Sequence, residues 1–157
     1  MLHAATALAY PEGAPWGAAN SAAAENCASC HFDYDAVLDS PGLTIRGLPG
    51  TATPGETYSL VIRCELPGAV TAGFQLVAIG GDDAGVFSTD SEHVELAGAA
   101  IRSTMPATVD GAIEWPVQWT APEREAPVRI FLAVMATNDD GSPFGDTAHF
   151  RTFDVAM

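Results

Sequence analysis

Between Thr57 and Glu65 the chain alternates without a break: Tyr58, Leu60, Ile62 and Cys64 fall on one side, Ser59, Val61, Arg63 and Glu65 on the other. A repeat of two matches a β-strand, whose successive side chains leave opposite faces, and it gives no continuous apolar stripe for a helix. Phe74, Leu76 and Ala78 repeat the pattern, as do Ile113, Trp115, Val117 and Trp119 opposite Glu114, Pro116 and Gln118. Val128 to Ala136 is apolar on both faces, which predicts a central strand. Further candidates at 43–48, 84–88, 92–96 and 147–155 bring the expected total to seven or eight strands. Turn signals (Pro54-Gly55, Pro67-Gly68, Gly80-Gly81, Asp110-Gly111, Asp140-Gly141) recur about every 8–12 residues with no helical period between them, so the pattern predicts an antiparallel β-sandwich. Pro116 has no N–H for a ladder, so its side of that strand is expected to lie at an edge.

Ahead of this β texture the chain reads differently. Residues 1–19 are rich in Ala, Pro and Gly and read as a leader remnant followed by an extended arm. Ala7-Leu8-Ala9 has the small-x-small form that signal peptidase cuts, without a basic n-region, so the leader is expected to be truncated and the protein exported to the periplasm or another extracytoplasmic space. In residues 20–39, Asn20 or Ser21 is a candidate cap for a short helix through Ala22-Ala23-Ala24-Glu25, and Pro41-Gly42 ends any helix. Residues 40–157 are the expected sandwich. No stretch approaches the ~18–20 apolar residues that span a bilayer, so no transmembrane span is expected. Of 157 residues 48% are hydrophobic, enough for a core, while 20 acidic against 6 basic side chains give a net charge of −14. That field repels nucleic acid and favours basic partners.

Cys27-Ala28-Ser29-Cys30-His31 bears the chemistry. Two thiols at this spacing can add to the two vinyl groups of one haem, and a histidine directly after the second can supply its proximal nitrogen. The sequence therefore predicts a single haem c, linked at Cys27 and Cys30 with His31 as axial ligand. A thioredoxin-like dithiol shares the spacing but belongs to a βαβ unit, which is missing here. A zinc site needs two further ligands, and no second pair follows. The third cysteine, Cys64, falls on the apolar side of its strand and reads as a small buried hydrophobe.

Gly73-Phe74-Gln75-Leu76, Trp115 to Trp119-Thr120-Ala121-Pro122, Phe131 to Val134, Asn138 to Gly141 and Asp146 together resemble the Reeler-type immunoglobulin-like domain over roughly residues 40–155. The resemblance implies a sandwich of about seven to eight strands. It also implies an exported setting, since similar bacterial domains follow a haem-attachment motif. In such domains a histidine often stands near the position that Ser103 takes here; Met105, two residues on, would face the same side of an extended chain. Met105 is accordingly the first candidate for the sixth iron ligand, with His93, His149 and Met135 as alternatives. His3 falls in the leader and Met157 at the last position. A thioether ligand would raise the reduction potential; Asp33, Asp35 and Asp39 would lower it if close.

Trp16, Phe32 and Tyr34 flank the motif and suit either the porphyrin or the sandwich, whereas Trp115 and Trp119 are expected in the core. Asn138, Asp139, Asp140 and Asp146 form an acidic loop that offers oxygen ligands to calcium, but its spacing is not that of an EF-hand and turn chemistry accounts for it equally well. No residue pair suits acid–base catalysis, so the expected function is extracytoplasmic electron transfer between redox partner proteins rather than catalysis. The alternatives are an accessory subunit of a larger membrane-associated redox or photosynthetic complex, in which the sandwich mediates assembly, and a haem enzyme or gas sensor with an open sixth position.

Overall fold

The computed structural model describes residues 14–157; the leader-like stretch, with Ala7-Leu8-Ala9 and His3, lies outside the described residues. In chain order these residues form α1 (Cys27–Cys30), β1 (Leu43–Arg46), β2 (Thr57–Cys64), β3 (Thr71–Ile79), β4 (Val86–Ser88), β5 (Val94–Ala97), β6 (Ala100–Ser103), β7 (Ala107–Thr108), β8 (Ile113–Thr120), β9 (Val128–Thr137) and β10 (Thr147–Val155). One sheet has the order β1-β2-β8-β4, the other β10-β9-β3-β6-β5, with β7 also paired to β3. The strand pairs are antiparallel, so the chain is an immunoglobulin-like β-sandwich.

The alternating strands behave as their spacing requires. Leu60, Ile62 and Cys64 on β2 and Val117 and Trp119 on β8 face Leu76 on β3, Ile101 on β6 and Ile130, Leu132 and Val134 on β9 across one buried core. Each such large apolar side chain contributes about 1.5–3 kcal/mol by leaving water. Trp119 is fully buried and its Nε1 donates to the Ala84 carbonyl at 3.1 Å, which satisfies the indole's polar atom. Trp115 is half-buried, its ring 4.8 Å from that of Phe74. Gly85, at φ +79, lets the chain pass against the Thr120 carbonyl and the Trp119 indole, where a Cβ would collide.

Among the described residues ten strands form where seven or eight were expected; the additional ones are β6 and β7, of four and two residues, which pair with β3. Pro116 is accommodated because β4 pairs only with Gln118 to Thr120, leaving β8 a single neighbouring strand at the proline. The helix is shorter than its alanine run suggested. Asn20 Oδ1 accepts from Ala22 N at 3.0 Å, and Asn26 Nδ2 donates to the Ser21 and Ala23 carbonyls at 3.1 and 3.2 Å. These side chains offer the backbone local partners that compete with helical ones, so residues 21–25 form turns and bends.

The outer face of the six-stranded sheet is covered by the chain's own N-terminal segment. Ala19 packs with Ala133, Ala148 and Phe150, joined by Cys27, Ala28 and Ala36. The double-sided apolarity of Val128 to Ala136 follows: one face of β9 lies on the core and the other beneath this segment. Gln75, buried on β3, fastens the arm by accepting from Ala19 N at 3.1 Å and donating to the Pro15 carbonyl at 2.9 Å. Further along, Val37 forms a parallel bridge with His149.

Candidate functional site

The single turn of α1 is built by its caps. Asn26 Oδ1 accepts from Ala28 N at 2.9 Å, and Ser29 Oγ accepts from Asn26 N at 3.0 Å, a reciprocal pair that satisfies donors the helix start would otherwise leave free. His31 closes the turn, its N–H donating to the Cys27 carbonyl at 3.3 Å. Both cysteines and His31 thus project from one turn.

That turn sits on the rim of a cleft of about 500 Å³ on the outer face of the six-stranded sheet. Cys27, Cys30 and His31 line it together with Met105 and Met135. Gly73, Ser103 and Ala133 also line it, and these small residues from three neighbouring strands leave the space open. A Cβ at Gly73 would stand 3.0 Å from Ser103 Oγ. Ser103, the position that the resemblance associates with histidine, is itself tied to the strand: its Oγ accepts from Phe74 N at 3.0 Å. Met105 is half exposed, in the bend after β6.

The other candidate ligands lie elsewhere. His149 lines a separate pocket with Pro67 and Thr147, its Nδ1 3.0 Å from Ser40 Oγ. His93 is exposed at the turn before β5, and Met157 packs against the main core. Nor do Trp16, Phe32 and Tyr34 line the cleft. Arg102 lies over the Trp16 ring at 4.4 Å, Phe32 meets Phe144 edge-on at 6.0 Å between centroids, and Tyr34 is exposed.

The two cysteines differ in their surroundings, Cys27 being partly buried and Cys30 exposed. Burial pushes the Cys27 thiol up to about 11, and its Sγ lies 3.5 Å from the Ala18 carbonyl. A dithiol oxidoreductase needs its attacking thiol shifted the other way, toward thiolate. For zinc, among the described residues no group of three or more His, Cys, Asp or Glu is arranged to hold a metal ion. Acidic side chains do gather at the cleft, namely Glu25, Asp139, Asp140 and Asp146.

Asp146, read from the sequence only as part of an acidic loop, is paired with the motif histidine in the fold. Its Oδ2 lies 2.8 Å from His31 Nδ1, with the carboxylate side chain only 3% exposed and the imidazole 20%. Its Oδ1 accepts from Asn138 N at 3.3 Å. In the sequence Asp146 belongs to an acidic loop, and a separation of 115 positions from His31 hides the pairing. The rest of that loop closes on itself: Asn138 Nδ2 donates to Asp140 and to the Phe144 carbonyl, and Asp140 Oδ1 accepts from Ser142 N at 2.8 Å. Those bonds hold the Asp140 carboxyl below its usual range, the Ser142 backbone first among them. The turn-chemistry reading accounts for these contacts.

Fold and site together define an immunoglobulin-like β-sandwich that lays a Cys-x-x-Cys-His turn over a cleft on one sheet. Among solved structures it is similar to the reeler domain of human F-spondin, with a TM-score of 0.57 and 17% identity over 79% of this chain and 94% of that one. The Reelin-N domain of F-spondin gives a TM-score of 0.51 and 21% identity over 73% and 83% of the two chains. The sandwich is therefore a Reeler-like β domain in fold. No protein-family model and no curated protein sequence matches the chain.

Proposed function

We propose that the chain is a monohaem c-type cytochrome working in extracytoplasmic electron transfer, with haem linked to Cys27 and Cys30 and ligated by His31. The observation that carries this reading is the convergence of both thiols and the imidazole on the rim of one cleft that Met105 also lines. The residues suit the group. A volume of about 500 Å³ falls within the range of cofactor sites, ~300–1,000 Å³. The small residues Gly73, Ser103 and Ala133 put no bulky side chain of their own into the cleft, and sulfur and imidazole are the donors that haem iron takes. A porphyrin would supply most of the iron's ligands itself, so the protein would need to contribute only one or two. His31 would meet that need through Nε2, its Nδ1 being engaged by Asp146. Met105, lining the same cleft, is the candidate sixth ligand ahead of Met135.

Haem supplies a one-electron ferric/ferrous couple. Cys27 and Cys30 would fix its position by two covalent links, Ala133 and Met135 would lie against it on the sheet side, and Glu25, Asp139 and Asp140 would set a negative surround. A net charge of −14 suits transient docking to a basic redox partner.

A second reading, an accessory subunit of a larger redox complex, draws on the exposed apolar side chains Phe32, Tyr34, Leu38 and Phe144 beside the motif segment and the acidic loop.

The test is expression with an export signal in a host equipped for haem c maturation. The expected product carries one haem by intact mass and gives a positive alkaline pyridine assay, with attachment impaired in Cys27→Ala and Cys30→Ala. A wild-type product without haem refutes the proposal. Met105→Ala is expected to lose the low-spin spectrum; retention of that spectrum removes Met105 as ligand. Sizing the native protein from its source distinguishes a free carrier from a subunit.

A further inference from the structure

The contact between His31 and Asp146 is unusual for this chain in its combination of burial, distance and sequence separation. The salt bridges that join Arg46, Arg63, Arg102, Arg124 and Arg129 to acidic partners all involve a carboxylate at least 39% exposed, whereas the Asp146 side chain is 3% exposed. Its second oxygen is engaged by Asn138 N, at the close of a loop that Asn138 and Asp140 stiffen through their own turns. Gly145, next to it, donates to Asp33 Oδ2 at 3.2 Å, so the loop grips the motif segment at two adjacent points. A carboxylate held in this way accepts from Nδ1–H, fixes the imidazole in the tautomer that leaves Nε2 unprotonated, and orients the ring.

We infer that Asp146 is a positioning residue for the His31 ligand, making the imidazole a stronger electron donor to bound iron and so lowering its reduction potential. This rests on the haem reading above. The physics is that of an outer-shell carboxylate on a metal-bound histidine. Partial negative charge passed to Nε2 stabilises the ferric state more than the ferrous, because the ferric centre carries one more positive charge. The effect opposes that of a Met105 thioether, which favours the ferrous state.

The decisive comparison is the potential of the haem-loaded wild type against haem-loaded Asp146→Asn, whose amide keeps the side-chain shape but drops the charge. The expected result is a shift of the ferric/ferrous balance toward ferrous by about tenfold, which is about 59 mV upward for one electron. Asp146→Glu, which restores the charge, is expected to recover part of the shift. Equal potentials in wild type and Asp146→Asn overturn the inference while the haem reading stands. A wild type that takes up no haem overturns both.

A measurement on the unsubstituted chain guards against a variant that does not fold. In the haem-free full-length protein, nitrogen-15 NMR is expected to find His31 in the Nδ1–H form with that proton protected from exchange. A His31 ring protonated on Nε2, or an Nδ1 proton exchanging freely, overturns the inference without any variant.

Discussion

His149 shows how a single side chain links folding to pH in this protein. It is half-buried on β10 beside Ser40, and burial lowers its pKa below the ordinary 6.5, because imidazolium loses more hydration than neutral imidazole. In the unfolded chain the ring takes up a proton as pH falls through about 6.5, while in the folded chain uptake waits for a lower pH. Across that interval the unfolded state binds more protons, so stability falls as pH falls; above it both states are neutral and the residue has no effect. His149→Gln is expected to flatten the loss of stability as pH falls through about 6.5 and below, read as urea midpoints. A variant that tracks wild type through this window would show that other groups govern the slope. At the same scale, the cysteine motif and Cys64 were legible directly, since spacing and alternation are local properties. The role of Asp146 was not, because it exists only once β10 brings residue 146 beside residue 31.

Among the elements, β3 joins the two halves of the design. Its inner side chains, Phe74 and Leu76, lie in the main core, while Gln75 on the outer face holds the arm that carries the motif. Gln75→Ala removes the acceptor of Ala19 N, leaving that buried N–H unpaired at a loss of about 1–3 kcal/mol, while the exposed Pro15 carbonyl keeps the Ala18 N–H. The expected readout is faster amide exchange at Ala19 with little change in β2 and β8 on the opposite sheet. Unchanged protection at Ala19 would mean that apolar packing alone holds the arm. The strands that sequence reading located most sharply were those long enough to show a period, such as Thr57–Cys64 and Ile113–Thr120, with the short β1, β4 and β5 found between turn signals. The two- and four-residue pieces at Ala107–Thr108 and Ala100–Ser103 carry no readable period, and their pairing with β3 decides them. The short helix was misjudged in extent because propensity favoured the alanines, whereas the side chains of Asn20 and Asn26 captured the backbone first.

For the whole molecule, the excess of 20 acidic over 6 basic residues sets a long-range field that no single contact accounts for. Association with a cationic probe such as polylysine is expected to be strong at about 0.01 M salt, where the Debye length is ~30 Å, and to weaken sharply by about 0.15 M, where it is ~8 Å. Binding insensitive to salt would point to an apolar surface instead, with Phe32, Tyr34 and Phe144 the side chains to replace. The antiparallel sandwich follows from the same global economy: two sheets, each with an apolar inner face, bury those faces against one another.

By itself the sequence determined the strands with a clear period, the turns between them, the sign of the surface field and the presence of a thiol pair followed by histidine. These are short-range facts, encoded by neighbours in the chain. Only the tertiary structure decided that the N-terminal segment lies on the outer sheet rather than apart from it. It alone decided that Met105 and Met135, but not His93 or His149, share the cleft with His31, and that Asp146 is buried against the imidazole. The reason is that packing joins residues through space, and no local pattern records which distant side chains the closing of two sheets will bring together.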